Sequence, residues 1–212
     1  MQLEQIYTHI DHTVLKQTTT WAQVQKLCDE AIQGKAASVC IPPCYVAKAK
    51  EYTNGAMPIC TVIGFPNGYQ TTMVKLVETK EALANGADEI DMVINLCDVK
   101  NGEWDKVAHE IKALKHACGN RVLKVIVETC YLTEAEKVQL CKIVTEAKAD
   151  YIKTSTGFGS AGATVEDVTL FRKECGADVK IKAAGGIRTV EDAENMLSAG
   201  AERLGSSALL AR

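Results

Sequence analysis

The stretch Val122-Leu-Lys-Val-Ile-Val127, then Thr133-Glu-Ala-Glu136, then Ala147-Lys-Ala-Asp150 running into Tyr151-Ile-Lys153 decides the fold. The first run is short and β-branched, as a buried strand requires. The threonine followed by acidic residues reads as a helix start, and the following segment has apolar residues three and four apart. The small-residue turn then returns the chain to a second strand. Two strands joined through a helix run parallel, because only a long crossover brings the chain back to the same end of the sheet.

The same unit recurs on either side. Ser38-Val-Cys-Ile41, Pro58-Ile-Cys-Thr-Val-Ile63, Glu89-Ile-Asp-Met-Val-Ile94 and Val179-Lys-Ile-Lys-Ala183 read as strands, and Trp104 to Ala117 as a helix with one apolar stripe. Thr164-Val-Glu-Asp167 and Thr189-Val-Glu-Asp192 repeat the helix start. Asn85-Gly-Ala-Asp88, Cys175-Gly-Ala-Asp178 and Ala199-Gly-Ala-Glu202 repeat the turn before a strand. Short strands around His9-Ile-Asp11 and Arg203-Leu-Gly205 complete eight, at about 26 residues per unit over 212 residues. The expected fold is α/β, a (β/α)8 barrel forming a single domain over residues 1–212. An open doubly wound sheet is the alternative, but no G-x-G-x-x-G follows the first strand.

Composition bounds the function. A net charge of −3 and an isoelectric point near 5.9 give no electrostatic reason to expect nucleic acid as a partner. No apolar run has membrane-spanning length. Nine cysteines without C-x-x-C spacing argue against a disulfide framework or structural zinc. Without a basic, apolar leader at the N-terminus, reduced thiols in the cytoplasm are expected.

Charged residues inside apolar strands are the anomalies. Lys153 and Lys182 stand near the C-terminal ends of the sixth and seventh strands, Lys124 interrupts the fifth and Asp91 the fourth. Barrel enzymes carry their active sites at that end, so three lysines and an aspartate are expected to converge on one mouth. Ion pairing or snorkelling explains one such lysine. Two at matching heights on adjacent strands are expected to depress each other's pKa, and a neutral amine attacks carbonyls. Ala184-Gly185-Gly186 after strand seven, and Gly205-Ser206-Ser207 after strand eight and opening the last helix, fall where this fold holds phosphate.

These residues resemble a known family. Ile10-Asp-His-Thr-Val-Leu15, Val39-Cys-Ile-Pro-Pro43, Asp88-Glu-Ile-Asp-Met-Val-Ile-Asn95, Leu123-Lys-Val-Ile-Val-Glu128, Tyr151-Ile-Lys-Thr-Ser-Thr-Gly-Phe158 and Lys182-Ala-Ala-Gly-Gly-Ile-Arg-Thr189 look like the signature segments of deoxyribose-phosphate aldolases, in the family's order. The resemblance implies a class I aldolase without metal or organic cofactor, acting on 2-deoxy-D-ribose 5-phosphate, D-glyceraldehyde 3-phosphate and acetaldehyde. It implies Lys153 as the Schiff-base lysine, Lys182 as the lysine that perturbs it and Asp91 as the proton-transfer partner. Asp11, Cys40, Lys124, Thr156 and Gly157 are expected near substrate, and Gly185, Gly186, Gly205, Ser206 and Ser207 around phosphate.

Some members carry a phosphate-binding lysine where Phe158 stands, and many run past the position of Arg212 into a tail ending in tyrosine. Both departures predict weaker discrimination against non-phosphorylated deoxyribose. A metal site at His9, Asp11 and His12 is disfavoured, since alternation puts His12 on the opposite face. Another Schiff-base aldolase or transaldolase, and a non-catalytic phosphosugar-binding barrel, stay open. The partners expected are small aldehydes and sugar phosphates, with a homodimer as the assembly.

Overall fold

The structure, a computed structural model, describes residues 2–210. Eight parallel strands close in sequence order into one barrel: β1 Ile10–Thr13, β2 Ser38–Ile41, β3 Ile59–Ile63, β4 Glu89–Val93, β5 Val122–Ile126, β6 Tyr151–Lys153, β7 Lys180–Ala184 and β8 Arg203–Ser206. Pairing of β1 with β8, Asp11 opposite Gly205, completes the closure. The main helices between them are α2 Trp21–Gly34, α3 Val46–Thr53, α4 Thr72–Ala84, α6 Trp104–Cys118, α7 Glu134–Glu146, α8 Val165–Glu174 and α9 Val190–Ser198. Two short helices, α1 Leu3–Tyr7 before β1 and α5 Leu96–Lys100 after β4, complete the set among the described residues. The expected single domain is this barrel; Met1, Ala211 and Arg212 lie outside the described residues.

The helix starts form as the sequence dictates. Thr133, Thr164 and Thr189 each accept the N–H of the residue three positions on, which satisfies an otherwise orphaned donor of the first turn. The turns before strands share a second device. Asp88, Asp150 and Glu202 each accept, through a carboxylate oxygen, the N–H at or near the start of the preceding strand, from Ile59, Leu123 and Ile181 respectively. The backbone N–H of each acid donates to that same residue's carbonyl. Each turn thus locks two strands at the N-terminal end of the barrel, the end away from the pocket described below.

Between strands and helices lies an apolar shell. Val39, Ile59, Ile90, Leu123, Ile152, Ile181 and Leu204 face outward into it, and all are fully buried. Each such side chain contributes about 1.5–3 kcal/mol relative to exposure. Three positions depart from expectation. The first strand begins at Ile10, so His9 precedes it and its Nδ1 lies 3.0 Å from the Glu202 carbonyl. Gly205 and Ser206 belong to β8 rather than following it. Lys115, which the i, i+4 spacing from Ile111 sets beside the apolar stripe of α6, reaches Asp150 at 2.6 Å.

Candidate active site

The side chains pointing into the barrel are mostly polar. This is unusual for a fold whose interior is normally filled by branched apolar residues. Asp11 comes from β1, Glu89 and Asp91 from β4, Lys124 from β5, Lys153 from β6, Lys182 from β7 and Arg203 from β8, and all but Arg203 are buried. Three acids thus meet four bases. A buried charge is tolerated only when paired, and here every one is.

Asp91 is the hub. Its Oδ2 lies 2.7 Å from both Lys153 Nζ and Lys182 Nζ, and its Oδ1 takes Lys124 at 2.8 Å and the Cys60 thiol at 3.1 Å. Burial opposes ionisation of Asp91, but the charges of Lys124, Lys153 and Lys182 outweigh it and hold the carboxyl well below the usual range. Asp11 accepts from Lys182 and Ser38, and from Arg203 at 2.6 Å; burial is again outweighed, chiefly by Lys124 and Lys182, so it too stays ionised. Lys124 also pairs with Glu89 at 2.5 Å, and Glu89 with Arg203 at 3.0 Å.

This geometry corrects the expectation for Lys182, that a neighbouring lysine lowers its pKa. Asp91 stands between the two lysines. Burial disfavours the Lys182 ammonium, yet Asp11 and Asp91 raise its pKa above the ordinary lysine range. Lys182 is therefore a fixed cation. Lys153 differs in access: it is 3% exposed, whereas Lys124 and Lys182 are at 0%.

A pocket of about 450 Å³ opens above Lys153, at the C-terminal end of the strands. Its walls include Thr13 to Lys16 after β1, Thr156 to Phe158 after β6, Ala184 to Arg188 around the end of β7, and Gly205 to Ser207. Gly185 and Gly186 have φ of 83° and 84°, a turn that side chains would strain. At Gly205 a Cβ would come within 2.9 Å of Ala184 Cβ and 3.5 Å of Lys182 Cε. The residue's smallness leaves room for the second lysine.

The structure brings Lys153, Lys182 and Asp91 together, and Thr156, Gly157, Gly185, Gly186, Gly205, Ser206 and Ser207 line the same pocket. It does not put three lysines at the mouth. Lys124 pairs in register with Tyr151, two residues before Lys153, so it lies one layer deeper in the barrel. Asp11 belongs to that deeper layer, and Cys40 packs with Cys60 and Val62 behind Leu15 and Phe65. None of the three lines the pocket. The Ser206 hydroxyl is turned inward: it donates to the Ile187 carbonyl at 2.9 Å and accepts the N–H of Ala208 at 3.2 Å. It shapes the turn from within, and Ser207 is the exposed serine. The expected last helix does not open at this turn: residues 207–210 form bends with no helix, and Ala211 and Arg212 lie outside the described residues.

His12 faces outward, with Nε2 2.8 Å from Glu30 of α2, so the His9, Asp11 and His12 set does not converge. Metal-type donors do gather as Cys40, Cys60 and Asp91, and as Asp11, Cys60 and Glu89, each within 4.8 Å. The carboxylates of both sets are already held by Lys124, which a cation would have to displace.

Sequence reasoning missed several participants. Glu89 and Arg203 share inward parity with Asp91 and Gly205, a signal that was readable. Lys16 and Arg188, both exposed, put positive charge on the pocket wall where Phe158 supplies none. Phe158 instead packs edge-on against Phe65, with ring centres 5.3 Å apart. Glu128, just past β5, reaches Thr156 on the neighbouring connection.

Comparison with known proteins gives the family. Residues 6–212 match the family model described as DeoC/LacD family aldolase. The chain is 58% identical over 207 residues to the deoxyribose-phosphate aldolase of Clostridium botulinum strain Alaska E43, covering 98% of this chain and 94% of that protein. It is 55% identical over 210 residues to the enzyme of the same name from Streptococcus pyogenes serotype M4, covering 99% and 94%. Among solved structures, the tetrameric deoxyribose phosphate aldolase of Aeropyrum pernix superposes with a TM-score of 0.91 at 30% identity, covering 99% of this chain and 89% of that one. With its closed barrel, its buried lysine pair and matches over nearly its whole length, the chain belongs to the DeoC/LacD family of aldolases.

Proposed function

We propose that the protein is a class I aldolase that cleaves 2-deoxy-D-ribose 5-phosphate to D-glyceraldehyde 3-phosphate and acetaldehyde, and runs the reverse addition, through a Schiff base on Lys153. The observation that carries this is the position of Lys153 Nζ. It lies at the pocket floor, 2.7 Å from an Asp91 oxygen that is shared with Lys182. Asp11, Glu89 and Asp91 are already matched by Lys124, Lys182 and Arg203, so Lys153 is the fourth base and the one of the four lysine and arginine groups set at the pocket floor.

The Lys153 amine, as free base, adds to C1 of the open-chain sugar. Loss of water gives an iminium. As the C3 hydroxyl loses its proton, the C2–C3 bond breaks and its electron pair flows into the iminium. This forms an enamine and releases glyceraldehyde 3-phosphate. Protonation at C2 and hydrolysis then return acetaldehyde and the free lysine. Asp91 is the proton-transfer partner for these steps, the fixed charge of Lys182 holds its carboxylate in place, and the cationic iminium stays beside that carboxylate. No metal or organic cofactor enters this sequence.

The phosphate is assigned to the turn of Gly185 and Gly186 and to Gly205, Ser206 and Ser207. Backbone N–H groups approach an anion closely there, and Lys16 and Arg188 add charge. Thr156 and Gly157 belong to the substrate wall, while Asp11, Cys40 and Lys124 act from beneath it. A homodimer and a cytoplasmic location complete the reading. The exposed Met73 and Val77 of α4 support the first, and the unpaired cysteines the second.

Borohydride reduction in the presence of acetaldehyde is expected to leave a stable adduct on Lys153, located by peptide mass spectrometry. An adduct on Lys182 instead would overturn the assignment. Lys153→Ala is expected to lower turnover by at least about 10³-fold in a coupled assay for glyceraldehyde 3-phosphate release.

A further inference from the structure

Glu128 is buried at 3% exposure and lies two residues past the strand that carries Lys124, yet the chemistry above does not use it. Its backbone sits at φ 56°, ψ 67°, a left-handed conformation that a non-glycine residue holds only when its surroundings impose it. Both carboxylate oxygens reach one residue on the next connection. Oε1 accepts the Thr156 N–H at 3.1 Å, and Oε2 accepts the Thr156 hydroxyl in a short hydrogen bond. Space is tight around the pair: a Cβ on Gly159 would come within 3.2 Å of Glu128 Oε1 and 2.8 Å of Cys130 Sγ.

This arrangement fixes a polarity. A threonine hydroxyl has one proton to give and two lone pairs. The proton goes to Glu128, and one lone pair takes the Phe158 N–H at 3.0 Å. The remaining lone pair belongs to a group that lines the pocket. Thr156 therefore offers substrate an acceptor and no donor. It suits a substrate hydroxyl and is wrong for a phosphate or carbonyl oxygen. Its location narrows the choice of hydroxyl. Thr156 follows Lys153 by three residues, and the stretch it belongs to packs on the phosphate turn, with Gly157 Cα and Ser155 Cβ each 3.6 Å from where a Gly185 Cβ would stand. The wall between the lysine and that turn faces the middle of the sugar phosphate, where the acceptor aldehyde carries the hydroxyl next to its carbonyl carbon.

We propose that Glu128 is a positioning residue that holds the Thr156 oxygen as a hydrogen-bond acceptor, and so makes the site select acceptor aldehydes bearing an α-hydroxyl. This rests on the aldolase reading given above.

The test compares two acceptors in acetaldehyde addition: D-glyceraldehyde 3-phosphate and 3-oxopropyl phosphate, which lacks only that hydroxyl. The wild-type protein is expected to favour the hydroxylated acceptor by about tenfold or more in kcat/KM, since a site built to pair a hydroxyl rejects the analogue lacking it. In Glu128→Gln the amide takes the Thr156 N–H on its oxygen and turns its NH2 toward the hydroxyl. The hydroxyl proton then points into the pocket, where the substrate hydroxyl can accept it only by turning from the geometry that Glu128 sets, and the preference is expected to fall by about threefold. Thr156→Val, which keeps shape and removes the oxygen, is expected to lose the same preference, and it serves if Glu128→Gln does not fold. The ratio compares two substrates on one protein, so a general loss of folded enzyme cancels. An unchanged ratio in either variant, or equal losses on both acceptors, would overturn the proposal. A wild-type protein that adds acetaldehyde to neither acceptor and does not cleave deoxyribose 5-phosphate would instead sink the aldolase reading itself.

Discussion

The two faces of a single strand, β4, carry opposite kinds of residue. Ile90 and Met92 point outward into the shell beneath the helices, which is largely apolar. Glu89 and Asp91 point inward to Lys124, Lys153, Lys182 and Arg203. The outward face is held by area and shape, terms that tolerate exchange among residues of similar volume. The inward face is held by a closed set of charges whose desolvation is offset only while each keeps its partners. Division of labour between faces lets the barrel keep a costly, reactive interior, because the shell supplies stability without taking part in the chemistry.

The sharpest way to break that comparison is to remove an interior charge that does not reach the pocket. Lys124→Met keeps the volume but leaves Asp91, Glu89 and Asp11 one cation short. It is expected to cost about 3–5 kcal/mol in urea unfolding. A loss below about 1 kcal/mol would show that the interior charges are not mutually dependent. In the shell, Leu123→Ala, one residue earlier on the same strand and fully buried, is expected to cost about 3 kcal/mol through a cavity. Its kcat per folded molecule should stay within about twofold of wild type. A large fall in kcat would mean that the faces are not independent.

The smallest effect lies at the N-terminal end of the barrel, away from both. Burial works against the Asp88 carboxylate, but the Lys50 hydrogen bond, the Ile59 N–H, and the charges of Lys50 and Arg121 outweigh it and lower its pKa. Asp88→Asn is expected to cost about 1 kcal/mol at neutral pH. A folded-state pKa below the unfolded value of 3.8 means the contribution is present above that pH and is lost as pH falls through the folded value. Wild-type and variant unfolding curves should therefore converge in acid. A difference that grows as pH falls would contradict the pairing.

Much of this was legible along the chain. The strand runs, the capping threonines at 133, 164 and 189, and the Ala-acid turns are local signals. Tertiary packing reinforced each one, with Asp88 and Asp150 gaining strand N–H partners that the turn motif alone does not announce. Lys153, Lys182 and Asp91 stood out because a charge in an apolar strand is anomalous wherever the strand lies. Lys124 stood out equally and was placed at the wrong depth. Sequence alternation tells which face a side chain takes but not how far up the barrel it stands. Height depends on the stagger between strands, set here by pairing Lys124 with Tyr151 and Ile126 with Lys153.

The sequence by itself thus determined the succession of strands and helices, the parity of each strand and the two lysines that stand level near the ends of neighbouring strands. These follow from periods of two and 3.6 residues and from the rarity of buried charge. Only the tertiary structure decided that Asp91 separates the two lysines and keeps Lys182 charged, that the Ser206 hydroxyl turns inward, and that Glu128 reaches across to Thr156. Each of those depends on distances between residues far apart in the chain. Such distances are fixed by barrel closure and stagger, which no local pattern encodes.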